Sequence, residues 1–291
     1  MLRITSTVAL NNGVKMPLFG LGTYELQSAD MDKIITSAIV DNGYIHIDTA
    51  SAYRNEEAIG AALKKIFQQG KIKREDIFIT SKANTREHGE KAYDACMGSL
   101  QRLGIDYLDL YLIHWPGVAG TAIQSPENSK IREQTWRAFE KLYQDKKCRS
   151  IGVSNYTVAH LEELISKSSI VPAVNQVEFH PFLYQKELLD FCNKHGIVLE
   201  AYASLTRAKK MDDDKITEIA KTLGKTRSQV LLRWAIQKNI PVIPKSSQID
   251  RIKENANIFD FEIPQDIMNQ LDSINDGNDP VRICWDPNTI L

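Results

Sequence analysis

The chain has 291 residues, 43% hydrophobic and 25% charged, an ordinary globular composition that excludes disordered and fibrous classes. Lys and Arg number 36 against 37 Asp and Glu, a formal net charge of −1. No global basic excess therefore draws the chain to nucleic acid or anionic lipid, and any anion site must be a local pocket.

The first residues lack the apolar core of a secretory signal, and no apolar run approaches the roughly 20 residues needed to span a bilayer. Cys96, Cys148, Cys192 and Cys284 lie far apart with no CxxC pair, which argues against a zinc knuckle. The expectation is a cytoplasmic protein with reduced thiols, no metal and no membrane partner. No strong unpaired apolar patch is visible, so a monomer is the default, and without a Pro/Ser-rich linker residues 1–291 are expected to form one domain.

In chain order, segments 4–8 and 14–16 around Asn11-Asn12-Gly13 predict a β-hairpin. Short apolar runs follow at 18–21, 45–47, 77–80, 108–113, 150–153, 173–177, 197–201 and 241–243. They are rich in β-branched residues and show little in–out alternation, as strands of a parallel sheet covered on both faces do. Segments 31–40, 56–67, 91–103, 132–143, 186–194 and 228–237 carry apolar residues at helical spacing. This alternation predicts a (β/α)8 barrel with the hairpin plugging its bottom. An open doubly wound sheet is the competing fold, but Gly20-Leu21-Gly22 lacks the third glycine of its phosphate turn.

A barrel carries its active site at the C-terminal ends of its strands. Those ends here are Gly22-Thr23-Tyr24, Asp48, Lys82, His114, Ser154-Asn155, Asn175-Gln176, Tyr202 and Pro244-Lys245-Ser246. Any one of them could merely solvate a rim; together they offer proton-transfer chemistry. Tyr53 follows Asp48 by five residues. A free phenol has a pKa of about 10, and a lysine ammonium beside it is expected to lower this. Asp48, Tyr53 and Lys82 would make a tunable general acid, and His114 could hydrogen-bond a substrate oxygen. One His and one carboxylate do not make a metal triad. The alternatives are a barrel aldolase using Lys82 as a Schiff-base nucleophile, and a binding protein that keeps the fold without turnover.

The sequence resembles the aldo-keto reductase family along nearly its whole length. The matching segments are Gly43-Tyr44-Ile45-His46-Ile47-Asp48-Thr49-Ala50 with Tyr53 and Glu56, Thr80-Ser81-Lys82, Asp109-Leu110-Tyr111-Leu112-Ile113-His114-Trp115-Pro116 and Ile151-Gly152-Val153-Ser154-Asn155. Gln176 with His180-Pro181, and Ile243-Pro244-Lys245-Ser246 with Arg251 and Glu254-Asn255, complete them. The resemblance implies a barrel that reduces aldehydes or ketones with NADPH, Tyr53 donating the proton, Lys82 and Asp48 activating it, and His114 orienting the carbonyl. It implies nicotinamide contacts from Tyr202, Ser154, Asn155 and Gln176, and further cofactor contacts from Gly22, Thr23, Asp48, Ser204 and Leu205. A 2′-phosphate needs cations and donors; Lys245, Ser246 and Arg251 supply them, with Glu254 and Asn255 near the adenine. Tyr24, Trp115 and Trp285 are candidate substrate walls beside Tyr53 and His114; Trp136 and Trp234 are expected between helix and barrel.

The chain departs from the family pattern at Ile45, at Lys82-Ala83-Asn84, at Ala203-Ser204-Leu205-Thr206 and at Tyr24. Loops 115–130 and 206–211 and the tail 275–291 are expected to set specificity. Arg207, Lys209 and Lys210 either fold over the cofactor pyrophosphate or are solvated loop charge. Asp212-Asp213-Asp214 is expected to cap the next helix.

Overall fold

The computed structural model describes residues 2–275 and 280–291; within the tail expected at 275–291, residues 276–279 lie outside the described residues. The chain opens with an antiparallel hairpin, β1 (Thr7–Ala9) and β2 (Lys15–Pro17), paired Val8 to Met16. The first strand starts later than the apolar pattern suggests, because Arg3 to Ser6 close a turn instead. Seven parallel strands follow in spatial order: β3 (Leu21–Gly22), β4 (His46–Asp48), β5 (Phe78–Ala83), β6 (Leu108–Ile113), β7 (Cys148–Ser154), β8 (Val174–Glu178) and β9 (Val198–Tyr202). The predicted run at 241–243 is too short for a regular strand, yet Val242 bridges Phe19 on one side and Ala201 on the other. That double bridge closes the sheet into the expected barrel.

Ten helices among the described residues surround it: α1 (Met31–Thr36), α2 (Glu56–Gln68), α3 (Ala92–Leu103), α4 (Glu127–Gln144), α5 (Val158–Lys167), α6 (Lys186–Lys194), α7 (Asp214–Leu223), α8 (Arg227–Gln237), α9 (Ile249–Ala256) and α10 (Gln265–Asp272). Helix α4 starts five residues before the expected 132, directly after Pro126, a residue suited to a helix start. Helices α5, α7 and α10 escaped the periodicity reading. Side chains start two of them: Thr157 accepts from the His160 amide, and Asp213, within the predicted acidic cap, from the Ile216 amide.

Strands β5 and β6 are buried at every position, as a sheet covered on both faces requires. Leu10 and Met16 of the hairpin pack with Phe78, Leu110, Leu112, Ala173 and Val174 at one end of the barrel. Asn11 donates to Pro172 O at 3.0 Å and Asn12 to Arg149 O at 2.9 Å, tying the hairpin turn to the loop that enters β8 and to the start of β7. The hairpin is thus the bottom plug, and the opposite rim is left for chemistry. Trp136 and Trp234 are buried as expected.

Candidate active site

Lys82 closes a buried polar cluster beneath the open rim. Its side chain has 0% exposure, and its ammonium donates to Asp48 Oδ1 at 2.6 Å, Thr49 O at 2.9 Å and the Tyr53 hydroxyl oxygen at 3.3 Å. Asp48 and Lys82 stand on β4 and β5, whose pairing sets Asp48 beside Thr80. Tyr53 comes from a one-turn helix, Ser51–Tyr53, ended by Arg54 at φ 57°. Because the lysine donates to the phenol oxygen, the phenol's own hydrogen is free to point elsewhere. The His114 ring lies edge-on to Tyr53 with centroids 5.6 Å apart.

Electrostatics correct one expectation. Burial pushes the Tyr53 phenol well above 10, and Asp48 adds to the rise. Asp48, 2.6 Å from the ammonium, offsets the field that was expected to lower the phenol. The phenol is therefore protonated at neutral pH. Burial, then Lys82, pushes His114 well below 6.5, leaving a neutral ring with one N–H to offer. Burial pushes the Asp48 carboxyl up, while Lys82 and Gln176 oppose it.

A second carboxylate completes the cluster. Gln176 donates both amide hydrogens, to Asp48 Oδ2 and Glu200 Oε2, each at 2.8 Å. Burial, then Asp48, pushes fully buried Glu200 up to about 8. Its other oxygen has no donor and lies 3.9 Å from the unpartnered His46 Nδ1.

A cleft of about 1020 Å³ opens over the cluster. Gly22, Tyr24, Asp48, Tyr53, His114, Trp115, Ser154, Asn155, Gln176, Tyr202, Ser204 and Leu205 line it, as do Lys245, Ser246, Arg251, Glu254, Asn255 and Trp285. Two of the predicted catalytic and cofactor residues stay out of it. Lys82 lies beneath Tyr53 and Asp48, which removes the exposed amine that a Schiff-base nucleophile needs. Thr23 is buried and gives both its amide and hydroxyl to Asp48 O. A Cβ at Gly22 would sit 2.6 Å from Ile243 O, so close strand approach, more than ligand access, requires this glycine.

Around the rim, Asn155 donates to His114 O at 2.9 Å and accepts from the Tyr202 hydroxyl at 2.7 Å. Ser154 donates to Gln176 O at 2.8 Å. Lys245 and Arg251 are exposed and have no ion-pair partner among the described residues. The Ser246 hydroxyl donates to Gln248 O at 3.1 Å, and Glu254 accepts from Thr226 Oγ1 at 2.6 Å. Trp115 and Trp285 pair with centroids 5.0 Å apart, and Tyr24 meets the Tyr53 ring edge-on at 5.1 Å.

Several cleft residues were not named as site candidates from the sequence: Glu25, Ala208, Arg227 and Cys284. Arg207 bonds Glu25 at 3.1 Å, tying the loop after β9 to the loop after β3, and Arg227 pairs with Asp212. Left-handed backbone gathers here: Glu25, Asn155, Ala203, Thr206, Arg207 and Ala208 all have φ between 47° and 64°. Each costs on the order of 1–3 kcal/mol, most for β-branched Thr206. No group of three or more His, Cys, Asp or Glu among the described residues could hold a metal, and no helix among them is long and apolar enough to cross a membrane.

Residues 18–276 match the Aldo/keto reductase family. The chain belongs to that family. It is 46% identical to glyoxal reductase of Bacillus subtilis (strain 168), over 99% of this chain and 98% of that protein. It is 40% identical to aldose reductase B of Dictyostelium discoideum, over 97% and 96%. The crystal structure of an aldo-keto reductase from a Medee basin deep-sea metagenome library superposes with TM-score 0.86 at 40% identity, covering 96% of this chain and 98% of that one. The protein is accordingly an oxidoreductase of the aldo-keto reductase family, and its barrel and plug are those of its relatives.

Proposed function

We propose that this aldo-keto reductase reduces aldehydes or ketones to alcohols with NADPH, Tyr53 serving as general acid. The observation that carries the reading is the Asp48–Lys82–Tyr53 chain, with contacts of 2.6 Å and 3.3 Å, at the floor of the cleft.

The cleft residues fit a phosphorylated dinucleotide. Gln176 has spent both amide hydrogens on carboxylates, so only its oxygen is left to accept from a carboxamide. Tyr202 flanks that position, with Ser154, Asn155, Ser204 and Leu205 around it. Lys245 and Arg251, free of carboxylates, would hold the 2′-phosphate with Ser246, while Glu254 and Asn255 would meet the adenine. The bound reduced nicotinamide supplies hydride.

The protein's own groups do the rest. Neutral His114 donates to the carbonyl oxygen and orients it. As negative charge grows on that oxygen, Tyr53 gives up its phenolic proton, and Lys82 stabilises the phenolate left behind. Asp48 keeps the ammonium in place. Tyr24, Trp115 and Trp285 give the substrate end an apolar wall suited to aromatic or aliphatic aldehydes, and the glyoxal reductase relative adds small dicarbonyls to the panel worth assaying.

Steady-state NADPH oxidation with an aldehyde panel tests the reading. Tyr53→Phe should lower kcat by about 10²–10⁴-fold with NADPH affinity nearly unchanged; an active variant, or a wild type that turns over no carbonyl compound, overturns it.

A further inference from the structure

Glu178 ends strand β8 with a side chain that is fully buried and does not line the cleft. Its carboxylate faces away from the catalytic cluster and toward the tail. Oε1 accepts from the Ile283 amide at 2.6 Å and from His180 Nε2 at 3.0 Å; Oε2 accepts from the Cys284 amide at 2.9 Å. Burial opposes the charge, but these donors hold the group below its ordinary value. Two consecutive backbone amides of a loop are thus held by one buried anion, an arrangement stronger than neutral hydrogen bonds.

The next residue along is Trp285. It is 51% exposed, lines the cleft and packs on Trp115. Such an exposed ring cannot hold its own backbone in place by burial. Its placement depends on the anchors on either side. One is Glu178. Others are the Val281 amide, which donates to Phe182 O at 3.0 Å, the Arg282–Asp286 pair at 3.3 Å, and the chain end, where Ile290 O meets His160 Nε2 at 3.0 Å and Leu291 O accepts from Arg132 at 2.7 Å.

We infer that Glu178 is a positioning residue that holds Trp285 in the substrate wall and so sets the preference for aromatic over small carbonyl substrates. The inference rests on the reading of the cleft as a carbonyl-reduction site. Glutamine at 178 keeps the size but has one acceptor oxygen for three N–H donors, and its own NH2 would face an amide hydrogen. Aspartate is one methylene too short to reach both amides.

The experiment compares wild type, Glu178→Gln, Glu178→Asp, Trp285→Ala and the Glu178→Gln/Trp285→Ala double variant, with NADPH and either 4-nitrobenzaldehyde or propanal. Glu178→Gln and Trp285→Ala should each raise KM for the aromatic aldehyde about tenfold, with kcat and the propanal KM within about twofold. The double variant should be no worse than either single one, since both remove the same wall. Hydrogen exchange of the peptide covering residues 281–286 should quicken in both Glu178 variants. Wild-type exchange and kinetics in the Glu178 variants, additive losses in the double variant, or equal losses for the two aldehydes would overturn the inference while leaving the reductase reading intact. A wild type that reduces neither aldehyde would overturn both.

Discussion

A lysine with no exposed side-chain surface survives in a barrel core only if its charge is matched. Lys82 has an anion at 2.6 Å, a carbonyl at 2.9 Å and a phenol at 3.3 Å, and removing one partner of such a pair costs about 3–5 kcal/mol. The same cluster has one carboxylate too many. Asp48 takes the lysine, leaving Glu200 a single amide donor and a value pushed up to about 8 by burial. The sign of its linkage follows. Folded Glu200 holds its proton above the ordinary 4.5, so stability is unaffected below 4.5 and is lost as pH rises toward 8. His46, held near 3 by burial, stays neutral over that interval, so Asp48 and Lys82 are the charges Glu200 meets. Glu200→Gln keeps an acceptor for Gln176 and removes the titration. Its Tm relative to wild type should increase between pH 5 and pH 8.5; a difference that does not vary with pH would show that Glu200 is ionised throughout.

At the scale of elements, helix α9 follows the last barrel segment with Arg251 in its first turn, and Lys245 stands just before it. In the proposed reading, these two exposed cations, with no carboxylate partner among the described residues, would hold the 2′-phosphate through charge-assisted contacts. Arg251→Ala should weaken NADPH binding about tenfold or more and leave NADH nearly unchanged, measured by fluorescence titration; equal losses would move the phosphate site elsewhere. The loop after β9 is harder to infer from sequence. Its four left-handed residues from Ala203 to Ala208 include no glycine, so the usual marker of that conformation is missing. Helix α7 was expected only through the acidic cap before it, and α5 and α10 carried no start signal that was read.

At the scale of the whole molecule, one core of buried residues runs from Leu18 to Leu271, and the barrel closes through the Val242 bridges. Neither half of such a ring can bury both faces of its strands alone. We therefore expect residues 1–291 to unfold as one domain: tryptophan fluorescence and far-UV circular dichroism should give coincident denaturation curves. Separated midpoints would show two units. The hairpin was legible because a turn signal stands between two short apolar stretches, and its place under the barrel is secured by Leu10 and Met16 among inward-facing strand residues.

The sequence by itself determined the order of the strands and most of the polar residues near their C-terminal ends, because parallel strands in a barrel must all point those ends at one rim. Asp48, Lys82, His114, Gln176 and Tyr202 could be read from that rule alone. Only the tertiary structure decided which of these groups share protons and which stay below the cleft floor. It also decided that Glu200 is left with one donor, and that Glu178 reaches Ile283 and Cys284 across more than a hundred residues of chain. Such pairings depend on distance in space and on burial, and neither leaves a periodic trace in the order of residues.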